Sequence, residues 1–285
     1  MKKPQERRVE YKRRIFATKQ VRDCVNGSDS IKRAGELYLP MPSGMRGVTF
    51  STGSINVKSS NSLADDDALN SISAPWSHGN PAYSAYVQRA KFPDMTANTL
   101  DGLLGIAIRD KPEVDLPTQI GYLEEICTID GRSVFSLYKN CLSEVLQAGR
   151  IALVADVRSD NTFYISEYIS ESYINWDYGV VNGSRVQTYA EFETEHTSPD
   201  DKKYVKSLCY YLEPRDEYNG RHVCVVRKFI DGKLDEEVIP VFMGKPLEFI
   251  PISNVSAKDS SNYPSLDSIP LLGVSDCAVD IYRHS

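Results

Sequence analysis

Residues 133–157 read SVFSLYKNCLSEVLQAGRIALVADV, and this stretch decides the fold class. Val134, Phe135, Leu137, Tyr138, Cys141, Leu142, Val145 and Leu146 recur with the 3.6-residue period of an amphipathic helix. Asp130 or Ser133 is placed to open that helix, and Gly149 suits the positive φ that closes one. Ile151–Val157 then reads as a strand. Its near-continuous apolar run, Ile151-Ala152-Leu153-Val154-Ala155, predicts that both faces are covered.

Downstream the texture is β. Phe163/Ile165 and Tyr164/Ser166/Tyr168 alternate in part, and Tyr173–Trp176 closes that segment. Asn182-Gly183 and Asp231-Gly232 are hairpin-turn pairs, each able to take positive φ. Strands are expected at Arg185–Glu193, Tyr204–Leu212, His222–Ile230 and Glu237–Phe242.

Upstream the texture is helical. A helix is expected around Asp29–Tyr38, capped by Ser28 or Asp29 and stopped by Pro40 and Pro42. Pro81 suits the first turn of a helix carrying Tyr83, Tyr86, Val87 and Ala90 on one face, with Pro93 ending or kinking it. Another runs from about Asp94 to Ile108, with Ala97, Leu100, Leu104 and Ala107 as its stripe. Gly102 and Gly105 suggest close helix packing there. Helices and an antiparallel meander in separate runs make an α+β fold.

The expected divisions are a basic arm at 1–20 and a short helix with a long irregular loop at 21–80. A helical part with one strand at 81–160 and an antiparallel β part at 161–268 follow. The start of a stem-like helix occupies 269–285, which reads as a chain stopping inside a longer protein. The arm holds eight Lys/Arg against Glu6 and Glu10, a local +6, so the rest carries −12 of the net −6. Val9, Tyr11, Ile15 and Phe16 are too sparse to specify an amphipathic helix, so the arm is expected to be a solvated leader or helix start, or a contact for nucleic acid or an acidic neighbour. The first eight residues lack the apolar core of a secretory signal, and no apolar run approaches the roughly 18 residues that span a bilayer. A cytosolic start and no membrane partner are expected.

Chemistry-bearing patterns are few. Cys24, Cys127, Cys141, Cys209, Cys224 and Cys277 form no C-x-x-C pair, and the four histidines show no metal-ligand spacing. They read as reduced, mostly buried thiols. Asp65-Asp66-Asp67 resembles a hard-cation cluster, but a loop or helix start explains it as well. Glu191, Glu193 and Glu195, followed by His196, fall on one face of a strand, an arrangement open to acid–base work or to a solvated sheet face. No phosphate loop or nucleophile elbow occurs. The tyrosines at 164, 168, 173, 178, 210, 211 and 218 lack interleaved basic residues and read as core or interface.

Two separated blocks carry a family likeness. Val21-Arg22-Asp23-Cys24 leads into Ile31–Pro40, and Tyr83–Ala90 into Thr99–Gly105 and Arg109-Asp110-Lys111-Pro112. The pattern continues through Gly131-Arg132-Ser133, Leu146–Arg150, Leu153–Asp156, Glu167-Tyr168, Ile174-Asn175-Trp176, Leu247 and Ile250-Pro251. It closes with Pro270-Leu271-Leu272, Asp276 and Tyr282-Arg283. In order and spacing this resembles the amino-terminal wing region of the portal-like proteins of tailed phages.

The resemblance implies a portal wing-like α+β fold, with the helical part packed on the β meander. It also implies a structural subunit rather than an enzyme. Such subunits form a homo-oligomeric ring, typically twelve-fold, at the capsid vertex of the virion, and reside in the host cytoplasm during assembly. The ring passes double-stranded DNA without sequence specificity during packaging and ejection. It meets the major capsid protein, terminase and the head–tail connector. No catalytic, cofactor-binding or metal residues and no cofactor follow from it. An acidic body agrees, since it does not grip phosphates by counterion release. Two alternatives remain: a soluble enzyme using Glu191, Glu193 and Glu195, and a DNA-binding adaptor using the basic arm.

Overall fold

The computed structural model describes residues 7, 9–45, 51–52, 55–56, 80–158, 162–198, 201, 203–242, 244–257 and 268–284. The irregular connection is thus mostly outside the described residues, as are Asp65–Asp67 and most of the polar loop after Ser256. The fold is α+β. In place of five successive segments, the chain divides into two compact, discontinuous units: Met1–Thr18 with Leu104–Pro270, and Lys19–Leu103 with Leu271–Ser285.

The second unit is helical. Its described elements are the latter half of α1 (Val9–Val25), α2 (Ser28–Ala34), α3 (Pro81–Arg89), most of α4 (Met95–Ala107) and α6 (Leu272–Arg283). A short hairpin, β1 (Ser51–Thr52) with β2 (Ile55–Asn56), also belongs here. The core is Cys24, Ile31, Tyr38, Leu39, Tyr83, Val87, Ala90, Phe92, Ala278, Val279 and Tyr282. Of the residues expected to form the apolar face of α3, Tyr83, Val87 and Ala90 are in this core and Tyr86 packs against it, partly buried. Pro81 does stand in the first turn, and the preceding Asn80 side chain accepts from the Ala82 and Tyr83 amides.

Three expectations are corrected in the helical segments. The first twenty residues are not simply an arm: from Val9 onward they lie in α1. Hydrophobic period alone missed this helix, whose apolar positions are too few for a marked stripe. The helix after it is capped by Gly27 at φ +84° rather than by a Ser28 or Asp29 side chain, and gives way to a 3₁₀ turn at Gly35–Leu37. Gly102 and Gly105 are exposed with nothing within 4 Å of a notional Cβ, and Ala107 is exposed too, so only Leu100 and Leu104 of that stripe are buried.

The first unit holds the sheets. α5 (Val134–Ala148) is capped by Ser133, whose hydroxyl accepts from the Ser136 amide at 3.2 Å, and closes at Gly149 with φ +75°. A Cβ on Gly149 would collide with the Ser268 carbonyl and the Arg14 guanidinium, so glycine is required by space as well as by φ. β3 (Arg150–Val157) follows and is the centre of a three-stranded antiparallel sheet, with β4 (Phe163–Ile169) on one side and β12 (Ile252–Ser256) on the other.

Both faces of β3 are covered, as its unbroken apolar run predicts. Ile151 packs with Cys127, Leu137 and Cys141, whereas Ala152 and Val154 pack with Trp176, Phe192, Tyr210 and Ile250. Near-continuous apolarity often marks parallel strands, but here helix on one side and sheet on the other produce it in an antiparallel one.

The meander is five-stranded: β5 (Tyr173–Val181), β6 (Ser184–Thr197), β7 (Lys203–Arg215), β8 (Arg221–Ile230) and β9 (Lys233–Val238), each beside the next. Asn182-Gly183 and Asp231-Gly232 turn β5 into β6 and β8 into β9, all four residues at positive φ. The last strand therefore starts at Lys233, directly after its turn, and not at Glu237. Val241-Phe242 (β10) pairs instead with Lys245-Pro246 (β11). Side chains alternate between faces. Ala190, Phe192, Tyr210, Leu212 and Cys224 belong to the core shared with β3, while Tyr189, Cys209, Tyr211, Val223, Val225 and Phe229 form a core on the other face.

Candidate functional site

The carboxylates proposed for acid–base work occupy unlike surroundings. Register places Asn175, Glu191, Cys209, Arg227 and Glu237 in one row across the five strands. Glu191 is 1% exposed and accepts from Asn175 Nδ2 at 2.8 Å and the Tyr189 hydroxyl at 2.6 Å. Burial first, then the neighbouring Cys209 and Glu191, raises the Tyr189 pKa well above its ordinary value, so its proton stays on the phenol. Glu193 pairs with Arg7, and Glu195 lies outside the buried part of the strand. The next polar side chain, His196, sets Nε2 3.0 Å from Thr194 Oγ1 and stacks on Tyr204.

Further along that row Arg227 is 4% exposed and reaches Glu237 through Nε at 2.7 Å and Glu213 through Nη2 at 2.6 Å. Its cation also lies 4.7 Å over the Tyr211 ring. Burial pushes the Arg227 pKa down, and hydrogen bonds to Glu213 and Glu237 outweigh it, leaving a net rise. Arg227 in turn holds Glu237 below the usual carboxylate range. This is charge balance across a covered sheet face.

Two basic residues of the arm, Arg7 and Arg14, are engaged in bonds within the first unit. Arg7 pairs with Glu193, Tyr11 donates to the Glu171 carbonyl at 2.6 Å, and Arg14 Nη2 donates to the Ala148 carbonyl at 2.5 Å. The last contact satisfies a free carbonyl at the C-terminus of α5. The signal was present in the sequence: Arg7, Tyr11, Arg14 and Thr18 step by four, three and four, which is one face of a helix.

The short segments singled out in the sequence, from Val21–Cys24 to Tyr282-Arg283, bond to one another within each unit. In the first, Arg132 pairs with Glu167, which also accepts from Asn140 Nδ2 at 2.9 Å. Arg150, 2% exposed, donates to Ser170 Oγ at 3.1 Å and to the Tyr173 carbonyl at 2.7 Å. Its guanidinium lies over the rings of Tyr173 and Trp176, and burial lowers its pKa to about 10. In the second unit Asp23 accepts from Tyr38 Oη at 2.7 Å, Ser30 Oγ at 2.9 Å and Lys19 Nζ at 2.7 Å. Tyr83 donates to the Leu39 carbonyl, Gln20 reaches Asp276 at 2.6 Å, and Arg283 Nε donates to the Tyr38 carbonyl at 3.0 Å.

Among the described residues no group of three or more His, Cys, Asp or Glu is arranged to hold a metal ion. Cys24, Cys127, Cys141, Cys209 and Cys224 are buried free thiols, and Cys277 is exposed. Among the described residues no helix is long and apolar enough to cross a membrane. Compared with known proteins, the chain matches no protein-family model and no curated protein.

Proposed function

We propose that this chain is a structural subunit of a portal-like ring at the capsid vertex of a tailed phage, corresponding to the wing of the subunit. In that role the ring passes double-stranded DNA without sequence specificity during packaging and ejection. It contacts the major capsid protein, terminase and the head–tail connector, first in the host cytoplasm and then in the virion. The subunit's work is mechanical, with no reaction centre of its own.

One observation carries the reading. Segments of the portal-like pattern that lie far apart in sequence supply the residues that interlock each unit. Val21–Cys24, Ile31–Pro40, Tyr83–Ala90 and Ala278–Tyr282 meet in one core, while Gly131–Ser133, Leu146–Asp156, Glu167-Tyr168, Ile174–Trp176 and Ile250 meet in the other unit. A chance likeness of short pieces has no reason to select side chains that bond one another across 23, 35 and 245 residues.

Electron microscopy and native mass measurement of the purified full-length protein test the proposal. Rings with a central hole, at a mass of many subunits, are the expected result. A single monomeric species at micromolar concentration overturns it.

A further inference from the structure

The face of the five-stranded sheet that carries Phe192 opens beside the stacked pair Tyr168–Phe192, whose ring centres are 4.0 Å apart. A hollow with about 180 Å³ of free space lies there, lined by Tyr168, Phe192, Thr194, Lys206, Leu208 and Lys228 together with Ser207. Register places Phe192, Leu208 and Lys228 in one cross-strand row and Thr194 and Lys206 in the next. All five therefore project from the same face.

The lining is mostly carbon: two rings, a leucine and two lysine stems. Thr194 Oγ1 is taken up by His196, 3.0 Å away. Burial pushes the Tyr168 hydroxyl up to about 12, so it contributes no anion. A nucleobase here would bury N–H and C=O groups without enough partners, a costly arrangement. An apolar side chain carries no such penalty.

The two lysines differ. Lys228 Nζ is already 2.8 Å from Asp235 and 3.9 Å from Glu236. Lys206 is half-buried, and among the described residues no carboxylate lies within ion-pair distance of it; its Nζ stands 5.6 Å from the Tyr204 ring. An unbalanced ammonium beside an open apolar hollow is complementary to a carboxylate next to an apolar group.

We propose that this hollow docks an acidic peptide segment, taking one of its aliphatic side chains, with an adjacent carboxylate pairing with Lys206. The inference stands on the hollow and on Lys206, and its failure leaves the portal-like reading untouched.

A fluorescein-labelled peptide with the sequence of residues 62–70, SLADDDALN, places a leucine two residues from a carboxylate at each end of its aspartate run and serves as the probe. Anisotropy titration with the full chain is expected to show saturable binding. Lys206→Glu removes the cation and Thr194→Trp fills the hollow without changing charge. Each is expected to weaken binding roughly tenfold, the scale of one lost ion pair or apolar anchor. A control peptide with Asn in place of the three Asp should lose a similar factor. Urea unfolding checks that each variant is folded, and Lys206→Gln replaces Lys206→Glu if it is not. No saturable binding, equal binding to wild type and both variants, or tighter binding of an oligothymidylate than of the peptide each overturns the proposal.

Discussion

The Arg150 guanidinium lies 4.5 Å from the centre of the Trp176 ring and 4.9 Å from that of Tyr173, while Nη2 bonds the Tyr173 carbonyl. A buried cation is thereby held by π-faces, a hydroxyl and a carbonyl, joining the start of β3 to the start of β5. Two substitutions separate charge from shape. Arg150→Lys keeps the cation but cannot reach both Ser170 and the Tyr173 carbonyl; it is expected to cost about 2–4 kcal/mol. Arg150→Met keeps the ring contacts, drops the buried charge and leaves one carbonyl unpaired, for about 1–3 kcal/mol. Urea unfolding ranks them, and a Met variant weaker than the Lys variant contradicts this account.

Asp23 is the polar hub of the helical unit. Tyr38→Phe removes one of its three side-chain donors at a buried site, with an expected loss of about 1.5–3 kcal/mol. Ser30→Ala, at a less buried donor, should cost less. The double variant should depart from the sum of the singles, since both act on the same carboxylate. Strict additivity in a double-mutant cycle would show that the donors act independently.

Thiol reactivity follows burial. Cys277 is exposed and the other five thiols are buried. Burial, the largest cause in each case, pushes Cys24, Cys141, Cys209 and Cys224 up to about 12. An aromatic disulfide reagent at pH 8 should modify Cys277 quickly in the native protein and all six only in denaturant. Two or more fast thiols would require an opening that the packing does not show.

Alkali should unfold the protein cooperatively. Tyr38, Tyr83, Tyr173, Tyr189, Tyr210 and Tyr211 all have pKa values raised by burial, and Tyr168 and Tyr282 reach about 12. Above pH 9 to 10 the unfolded chain gives up these thiol and phenol protons while the native state keeps them. The unfolded state then binds fewer protons, and stability falls as pH rises. Arg150, lowered to about 10, works the other way between about pH 10 and its ordinary 12.5, as one group against many. Each raised phenol removes up to about 1.4 kcal/mol per pH unit, so several together exceed a typical total stability by about pH 11. Tyrosinate absorbance and far-ultraviolet dichroism should change together; a gradual phenol titration with intact dichroism would refute this.

Much of the architecture is legible locally. Ser133 and Gly149 bound α5, Asn182-Gly183 and Asp231-Gly232 set two hairpins, and Pro81 opens α3, because caps, turns and Pro act within a few residues. The start of β9 was misplaced by four residues: its exposed charged strand, Lys233–Val238, has no apolar alternation to read. α1 escaped for a related reason. Its anchoring face in the first unit is built of Tyr11, Arg14 and Thr18, and polar anchors leave no hydrophobic period.

By itself, the amino-acid sequence determined the α+β class, the both-sides burial of β3 and the turn of each outer hairpin of the meander, since φ preference and apolar spacing are local properties of the chain. Tertiary structure alone decided that Glu191 is buried among donors while Glu193 pairs with Arg7, and that Lys206 faces a hollow with no acid partner among the described residues. Those outcomes depend on which distant side chain arrives at a given face, and strand register, which no short stretch encodes, sets that arrival.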